Sequence, residues 1–175
     1  MWLAPAHQRR AHAVIPTPYG DCVLFREPGT RLGATAGAEA WERWELTLGG
    51  EVVLEVQDAA MPWHGVRARA RSGMHGRLDG EPFTARAQRR AMRPSRRGMR
   101  FALDDGRVLV FTAHRLHRHL VLETGRGREV IASSRGARWR TDRLGRPETA
   151  LVCFTAVSGL DALLASPLQD LPLSL

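Results

Sequence analysis

The sequence predicts a mainly β protein: a closed antiparallel β-barrel of short hairpins around a buried hydrophobic C-terminal helix. Two observations carry this prediction. Short runs of alternating apolar and polar residues recur before residue 145, separated by turn sequences, a spacing typical of barrels and sandwiches. The most apolar segment, 147–165, follows them. Because a helix that is apolar on all sides must be surrounded, a barrel enclosing it satisfies both observations and leaves no open sheet edge.

Residues 1–40 are predicted to form an irregular arm with one short strand. Three prolines interrupt positions 1–20, and residues 31–40 are rich in glycine and alanine, which disfavours regular structure. The strand is expected at residues 22–25, where Cys-Val-Leu-Phe forms an apolar run. We assign the barrel with its central helix to residues 41–165 and a proline-broken tail to residues 166–175.

Three hairpins are predicted from turn signals between alternating runs. Gly-Gly and Asp-Gly pairs adopt the positive φ angles of tight hairpin turns, so they mark reversals of the chain. The turns lie at residues 49–50, 104–106 and 124–127, and the flanking strands are 44–48 with 51–56, 99–103 with 108–111, and 119–123 with 129–132. Further strands are expected at 66–71 and 137–141, and segment 82–100 is expected to hold a strand, a loop and the start of another strand.

The helix prediction rests on the two ends of segment 147–165. Pro147 suits the first helical position because its missing N–H has no partner there, and Glu148 follows where the helix dipole favours a carboxylate. Ser166 precedes a proline and therefore avoids the α region, which ends the helix. We favour a helix enclosed by protein over a membrane span, because Asp161 would lie near the middle of the bilayer. A buried strand at 150–157 is the third alternative.

Positive charge is concentrated in the middle of the chain. The net charge is +8, and all 26 basic residues are arginine. Residues 62–146 carry 21 arginines against 7 acids, whereas residues 1–61 and 147–175 each have a net charge of −3. A basic block of this kind favours anionic partners, either phosphate backbones or acidic lipid surfaces.

The densest part of this block is the candidate anionic-ligand site. It consists of Arg86, Arg89, Arg90, Arg93, Arg96, Arg97 and Arg100, a stretch that contains no acid. One interpretation is a solvated strand face and loop. A second is an anionic lipid surface, to which each arginine contributes about 1 kcal/mol. The third is nucleic acid, which has less support because the sequence lacks a recognition helix, a zinc finger and RNP-type aromatic residues.

The sequence contains no catalytic signature, so we predict a non-enzymatic protein without a cofactor. The serines are not in a G-x-S-x-G arrangement. His117 and His119 would share one face of a strand and are weak candidates for metal ligands with Cys22 or an acid. No second Cys/His pair supports such a site, so no metal centre is predicted. The two cysteines, Cys22 and Cys153, do not form a disulfide framework.

The arrangement resembles the tubby C-terminal-like superfamily, which includes the LURP-one-related proteins and phospholipid scramblases. The resemblance is carried by the hairpin at residues 100–109, the strand pair 120–123 and 129–132, and the helix start at 146–152, and it covers about residues 84–165. It implies a closed antiparallel barrel around a hydrophobic C-terminal helix. The phosphoinositide-binding and calcium-binding residues of the family have no matching positions in this chain, so no site is carried over.

Taken together, charge and predicted fold favour a protein that binds a phospholipid or an anionic membrane surface. Nucleic-acid binding through the arginine-rich segment and a protein-interaction scaffold are the alternatives. No signal peptide is visible, because Arg9, Arg10 and two histidines interrupt the first 15 residues. The expected location is therefore the cytoplasm, with peripheral association at the inner membrane surface.

Overall fold

The described part of the chain is mainly β and forms one antiparallel sheet with one helix. The computed structural model describes residues 11–28, 41–60, 73–88, 98–114, 117–135, 138–140 and 144–158. Within these ranges the strands are β1 (Ala11–Thr17), β2 (Gly20–Pro28), β3 (Trp41–Leu48), β4 (Glu51–Ala60), β5 (Met74–Leu78), β6 (Glu81–Gln88), β7 (Gly98–Leu103), β8 (Val108–His114), β9 (His117–Thr124), β10 (Gly127–Arg135) and β11 (Arg138–Arg140), and the helix is α1 (Arg146–Val157).

Each strand pairs with the next along the chain, so the order in the sheet is the order in the sequence. All three predicted hairpins are confirmed: β3 pairs with β4, β7 with β8 and β9 with β10, each antiparallel. Gly49 and Gly50 have φ angles of 61° and 88°, which is the left-handed conformation that a tight turn requires. Local turn chemistry therefore determines where the chain reverses.

The N-terminal region differs from the predicted irregular arm. Residues 11–28 form a complete hairpin, β1 and β2, and β2 extends well beyond the predicted 22–25. Pro16 obscured β1 in the sequence, since proline removes a ladder hydrogen bond. In the structure Pro16 lies opposite Asp21 near the end of β1, and β2 is the one ladder partner of β1 among the described residues, so the missing N–H of proline is tolerated there. This hairpin is part of the sheet rather than an appendage to it.

A further hairpin, β5–β6, was missed by the sequence analysis although its signal is present. Asp79 and Gly80 connect the two strands with φ angles of 54° and 80°, the pattern of a type I′ turn. The strand predicted at 66–71 lies outside the described residues. The last strand, predicted at 137–141, is observed as β11.

One face of the sheet, called here the inner face, carries the hydrophobic core. Its buried residues form a single cluster with those of α1, and strands β2 to β10 all contribute to it. Close approach within this sheet requires glycine at position 76, because a Cβ there would lie 2.0 Å from the Glu55 carbonyl oxygen and 2.7 Å from the Phe83 ring. The opposite, outer face carries most of the charged side chains discussed below.

Helix α1 starts one residue before the predicted position and is buried on almost every side. Pro147 lies in its first turn with Glu148, as the sequence indicates. Residues 149–155 are all buried, which confirms a buried helix for this part of the predicted segment and excludes the alternative of a strand at 150–157. The backbone N–H of Ser158 donates to the Phe154 carbonyl at 2.9 Å. Residues 159–165 of the predicted helix, like the tail, lie outside the described residues.

The described part of the chain contains no helix that is both long enough and apolar enough to cross a membrane.

Helix α1 packs against the inner face of strands β1 to β4 and is anchored at its N-terminus. Arg146 Nη2 donates to the Leu48 carbonyl oxygen at 2.9 Å and lies 2.7 Å from the Glu51 carboxylate. Just before the helix, the Tyr19 hydroxyl donates to the Leu144 carbonyl oxygen at 2.5 Å. The β1–β2 and β3–β4 turns therefore meet the start of the helix at one end of the sheet.

The structure does not show the sheet closing into the predicted barrel. Among the described residues β1 pairs with β2 alone and β11 with β10 alone. The structure thus has a single eleven-stranded antiparallel sheet in this part of the chain, and the barrel stays a prediction.

Candidate anion-binding face

The structure describes two of the seven arginines predicted to bind an anionic ligand. Arg86 on β6 and Arg100 on β7 are directly opposite each other in the ladder. Their neighbours Ala85, Ala87 and Phe101 contribute to the core. Because side chains alternate along a strand, both arginines point to the outer face. Arg89, Arg90, Arg93, Arg96 and Arg97 lie outside the described residues.

Arg86 and Arg100 have different surroundings. The Arg86 side chain is exposed and takes part in no ion pair with the described residues. Arg100 Nη1 lies 2.5 Å from a Glu123 carboxylate oxygen, and Arg128 Nε lies 2.8 Å from the other. One carboxylate therefore joins two arginines, and Arg100 is less available for a ligand than Arg86.

The Arg100–Glu123 ion pair spans strand β8 and lies next to apolar residues on the outer face. Arg100 is opposite Val110, which is opposite Val121 on β9. These two valines are only 4% and 7% exposed, although neither belongs to the inner core cluster. The stem of an arginine can cover apolar surface in this way, so this ion pair has a packing role as well as an electrostatic one.

Strands β9 to β11 add further basic side chains to the outer face. His117 is opposite Arg135, and His119 is opposite Ser133, which in turn is opposite Arg140. His117, Arg135 and Arg140 are exposed, and His119 is half-buried. We call the whole set the basic face, and it consists of Arg86, Arg100, His117, His119, Arg128, Arg135 and Arg140.

Among the described residues, few carboxylates lie on the basic face. Glu123 is the one acidic residue on this face in the described parts of β6 to β11, and it is already shared by two arginines. Within the described residues Arg86, Arg135 and Arg140 make no salt bridge. Val130, which is 55% exposed, lies on the same face opposite Val121. The face therefore combines available cations with an exposed apolar side chain.

Comparison of the chain with protein-family models, with curated proteins and with solved structures found no match.

The outer face of β3 and β4 has a different charge pattern. Glu45 is directly opposite Glu55, and the Arg43 guanidinium contacts both carboxylates. Arg77 on β5 is opposite Glu55 as well. Two acids facing each other would repel, so Arg43 between them makes this region a balanced ion-pair cluster, which leaves little net charge for a ligand.

The structure does not bring Cys22 to the histidine pair considered as metal ligands. His117 and His119 do share the outer face of β9, as expected. Cys22, their suggested partner, is 2% exposed and lies in the core instead. The described residues contain no group of three or more His, Cys, Asp or Glu side chains that could hold a metal ion.

Sequence reasoning missed Arg135 and Arg140 as members of the basic face. Both alternate with apolar or small neighbours in 132–135 and 138–140, which is a period-two signal. Their place beside His117 and His119 depends on the β9–β10–β11 register, which includes a bulge between Val130 and Ala132. A bulge changes which residues share a face, so the alternation alone does not give the grouping.

Proposed function

We propose that the chain is a non-enzymatic binding protein whose basic face binds anionic phospholipid at a membrane surface. The observation that carries this proposal is the alignment of Arg86, Arg135 and Arg140 on one face without acidic partners among the described residues. Basic residues next to an anionic bilayer contribute about 1 kcal/mol each. Three such arginines would together supply about 3 kcal/mol, on the order of 100-fold in affinity.

The extent of the basic face favours a surface over a single small ligand. It covers six neighbouring strands, β6 to β11, which at a spacing of about 4.8 Å span roughly 24 Å measured along the curved sheet. A small ligand would need converging groups in a concave pocket. The arginines are spread along this curved surface and do not converge on one point, and Val130 among them is exposed, so the face suits a membrane that presents many phosphate groups better than one small ligand.

We also propose that the sheet closes into a barrel around α1, as the resemblance to tubby-like proteins implies. A flat eleven-stranded sheet would be about 48 Å wide, whereas a helix with its side chains is about 10 Å wide. A single helix on a flat sheet would leave most inner-face residues exposed. Leu24, Leu54, Phe101 and Leu120, which belong to four different strands, are each at most 2% exposed and share one core with α1. Strong curling of the sheet accounts for this burial.

The barrel proposal is tested by deleting residues 147–175. Without its helix an enclosed core would be unfilled, so we expect insoluble protein or a molten state that lacks near-UV circular dichroism. A soluble truncated protein that unfolds cooperatively would instead show that the sheet does not need α1.

The binding proposal is tested by co-sedimentation with liposomes that contain phosphatidylserine, compared with neutral phosphatidylcholine liposomes. The wild-type protein should sediment with the acidic liposomes alone. The triple variant Arg86→Gln, Arg135→Gln and Arg140→Gln should bind them about 100-fold more weakly. Arg77→Gln is the matched control, since this exposed arginine lies opposite Glu55 and outside the basic face, and it should bind nearly as the wild type does.

A second variant tests the five predicted arginines that lie outside the described residues. Replacing Arg89, Arg90, Arg93, Arg96 and Arg97 by glutamine should also weaken binding to acidic liposomes. A salt titration of DNA and RNA binding belongs in the same series, because phosphate-backbone binding weakens steeply with salt. Binding to nucleic acid with no binding to acidic liposomes would replace the membrane proposal by the nucleic-acid alternative.

A further inference from the structure

The two cysteines of the chain, far apart in sequence, meet in the core. Cys22 lies on the inner face of β2, in register with Ile15 on β1 and Leu48 on β3. Cys153 lies on α1, which packs against these strands. Both belong to the same core cluster, with 2% and 6% exposure, and both are free thiols. Because the chain has no other cysteine, any intramolecular disulfide must join β2 to α1.

The two thiols interact and are not equivalent. The Cys153 thiol donates a hydrogen bond to Cys22 sulfur, which lowers the pKa of Cys22, although burial opposes this effect. The same hydrogen bond raises the pKa of Cys153, and burial raises it further. Cys22 is thus the better thiolate of the pair, and Cys153 stays protonated beside it. A thiolate with a second thiol next to it is the arrangement of a redox-active cysteine with a resolving partner.

We propose that Cys22 and Cys153 are a reversible redox pair, which a peroxide oxidises to a disulfide that ties helix α1 to strand β2. Cys22 thiolate attacks one oxygen of hydrogen peroxide, the O–O bond breaks, and the departing hydroxide takes up a proton to leave as water. Cys153 sulfur then attacks the Cys22 sulfenic acid, the S–O bond breaks, and a second water leaves with the Cys153 proton. In the two steps together, two thiols are oxidised to one disulfide, and one hydrogen peroxide is reduced to two waters.

Because both sulfurs are buried, peroxide must first gain access to Cys22. Neither sulfur is exposed, so a peroxide reaches Cys22 when α1 moves transiently away from β2. Local openings of this kind occur in folded proteins with free energies below that of global unfolding. After oxidation the opening is blocked, because the link joins the helix to the sheet and closes a loop that contains most of the chain. The disulfide would therefore preserve the state in which α1 fills the core, independently of the basic face.

The experiment treats reduced full-length protein with hydrogen peroxide, removes the peroxide with catalase and analyses the product by intact mass and non-reducing peptide mapping. The expected product is a monomer that has lost two hydrogens, with the peptides of Cys22 and Cys153 linked. Its thermal midpoint should rise by several degrees, as expected for a cross-link across a long loop, and dithiothreitol should reverse the rise.

Cys22→Ser and Cys153→Ser separate the roles of the two sulfurs. In Cys153→Ser the oxidised Cys22 should stop at sulfenic acid, which dimedone traps, whereas Cys22→Ser should react more slowly. If either variant fails to fold, the peptide map of the oxidised wild-type protein still shows whether Cys22 and Cys153 are linked. Sulfinic or sulfonic acid without the linked peptides, disulfide-linked dimers, or thiols that react only in denatured protein would each overturn the proposal. Since liposome binding does not depend on these thiols, its loss or retention tests the proposed function separately.

Discussion

Trp44 on β3 and Phe154 on α1 meet edge to face, with ring centroids 5.8 Å apart and ring planes at 76°. Each is 1% exposed. The guanidinium of Arg26 lies over the Trp44 ring, 5.5 Å from its centroid. Aromatic pairs of this geometry add about 0.5–1.5 kcal/mol to the free energy of burial, so this contact is a main attachment of the helix to the sheet.

Replacing Phe154 by alanine should therefore lower the free energy of unfolding by about 3–5 kcal/mol, through lost transfer energy, a cavity and the lost ring contact. Urea denaturation measures the change. Ala156→Ser is the matched control: Ala156 is exposed on the same helix, so the change should stay within about 0.5 kcal/mol. Equal effects of the two substitutions would contradict the buried position of Phe154.

The features that the sequence predicted correctly are local. The conformation of a turn such as Gly49-Gly50 or Asp-Gly at 105–106 depends on the residues of the turn itself. The hairpins can therefore be predicted from short stretches of sequence. The helix start is similar, since Pro147 and Glu148 act through the first turn. Strand β1 was missed because Pro16 penalises a strand interior, and its pairing with β2 is visible only from the register of the two strands.

The features that the sequence did not predict depend on long-range register. Arg135 joins the basic face because β10 pairs with β9 through a bulge. Arg100, predicted as a ligand for anions, forms an ion pair with Glu123 across an intervening strand. Cys22 and Cys153 meet only because α1 returns onto β2. These contacts cannot be predicted from a short stretch of sequence, because each depends on how separate elements pack against each other.

Gly76 provides a test of close packing between strands. A Cβ at this position would lie 2.0 Å from the Glu55 carbonyl oxygen, so Gly76→Ala must displace β4 or β5. We expect little folded protein in the soluble fraction, or a lowering of the thermal midpoint by many degrees. Gly125→Ala is the control, because no atom lies within 4 Å of its added Cβ, and its midpoint should be close to the wild-type value. A stable Gly76→Ala protein would contradict the β4–β5 register.

Asp105 provides a test of the β7–β8 turn by pH titration. The Arg107 backbone N–H donates to its carboxylate at 2.8 Å and lowers the pKa of Asp105, with a smaller contribution from the Arg107 side chain. Because this pKa is lower in the folded state, the stabilisation is present above the ordinary pKa of aspartate and is lost as the pH falls through the folded value. An NMR titration should find the pKa of Asp105 below 3.8. In Arg107→Gln most of the shift should persist, since the backbone donor remains; a return to the ordinary pKa would assign the effect to the side chain.

Arg86 and Arg100 are opposite each other on adjacent strands, yet they should respond to substitution in opposite ways. Arg100→Gln removes the ion pair to Glu123 beside the buried Val110, so we expect a loss of about 1–2 kcal/mol in the free energy of unfolding. Its effect on binding to acidic liposomes should be small, since Arg100 is already paired. Arg86→Gln should change stability by no more than about 0.5 kcal/mol and should weaken liposome binding roughly fivefold, as one cation worth about 1 kcal/mol would. Urea denaturation and co-sedimentation on the same two variants measure the free energy of unfolding and the binding to liposomes.

If Arg86→Gln lost stability while Arg100→Gln lost binding, the roles of the two arginines would be reversed, and the membrane-binding surface would have to be centred on β7 to β9.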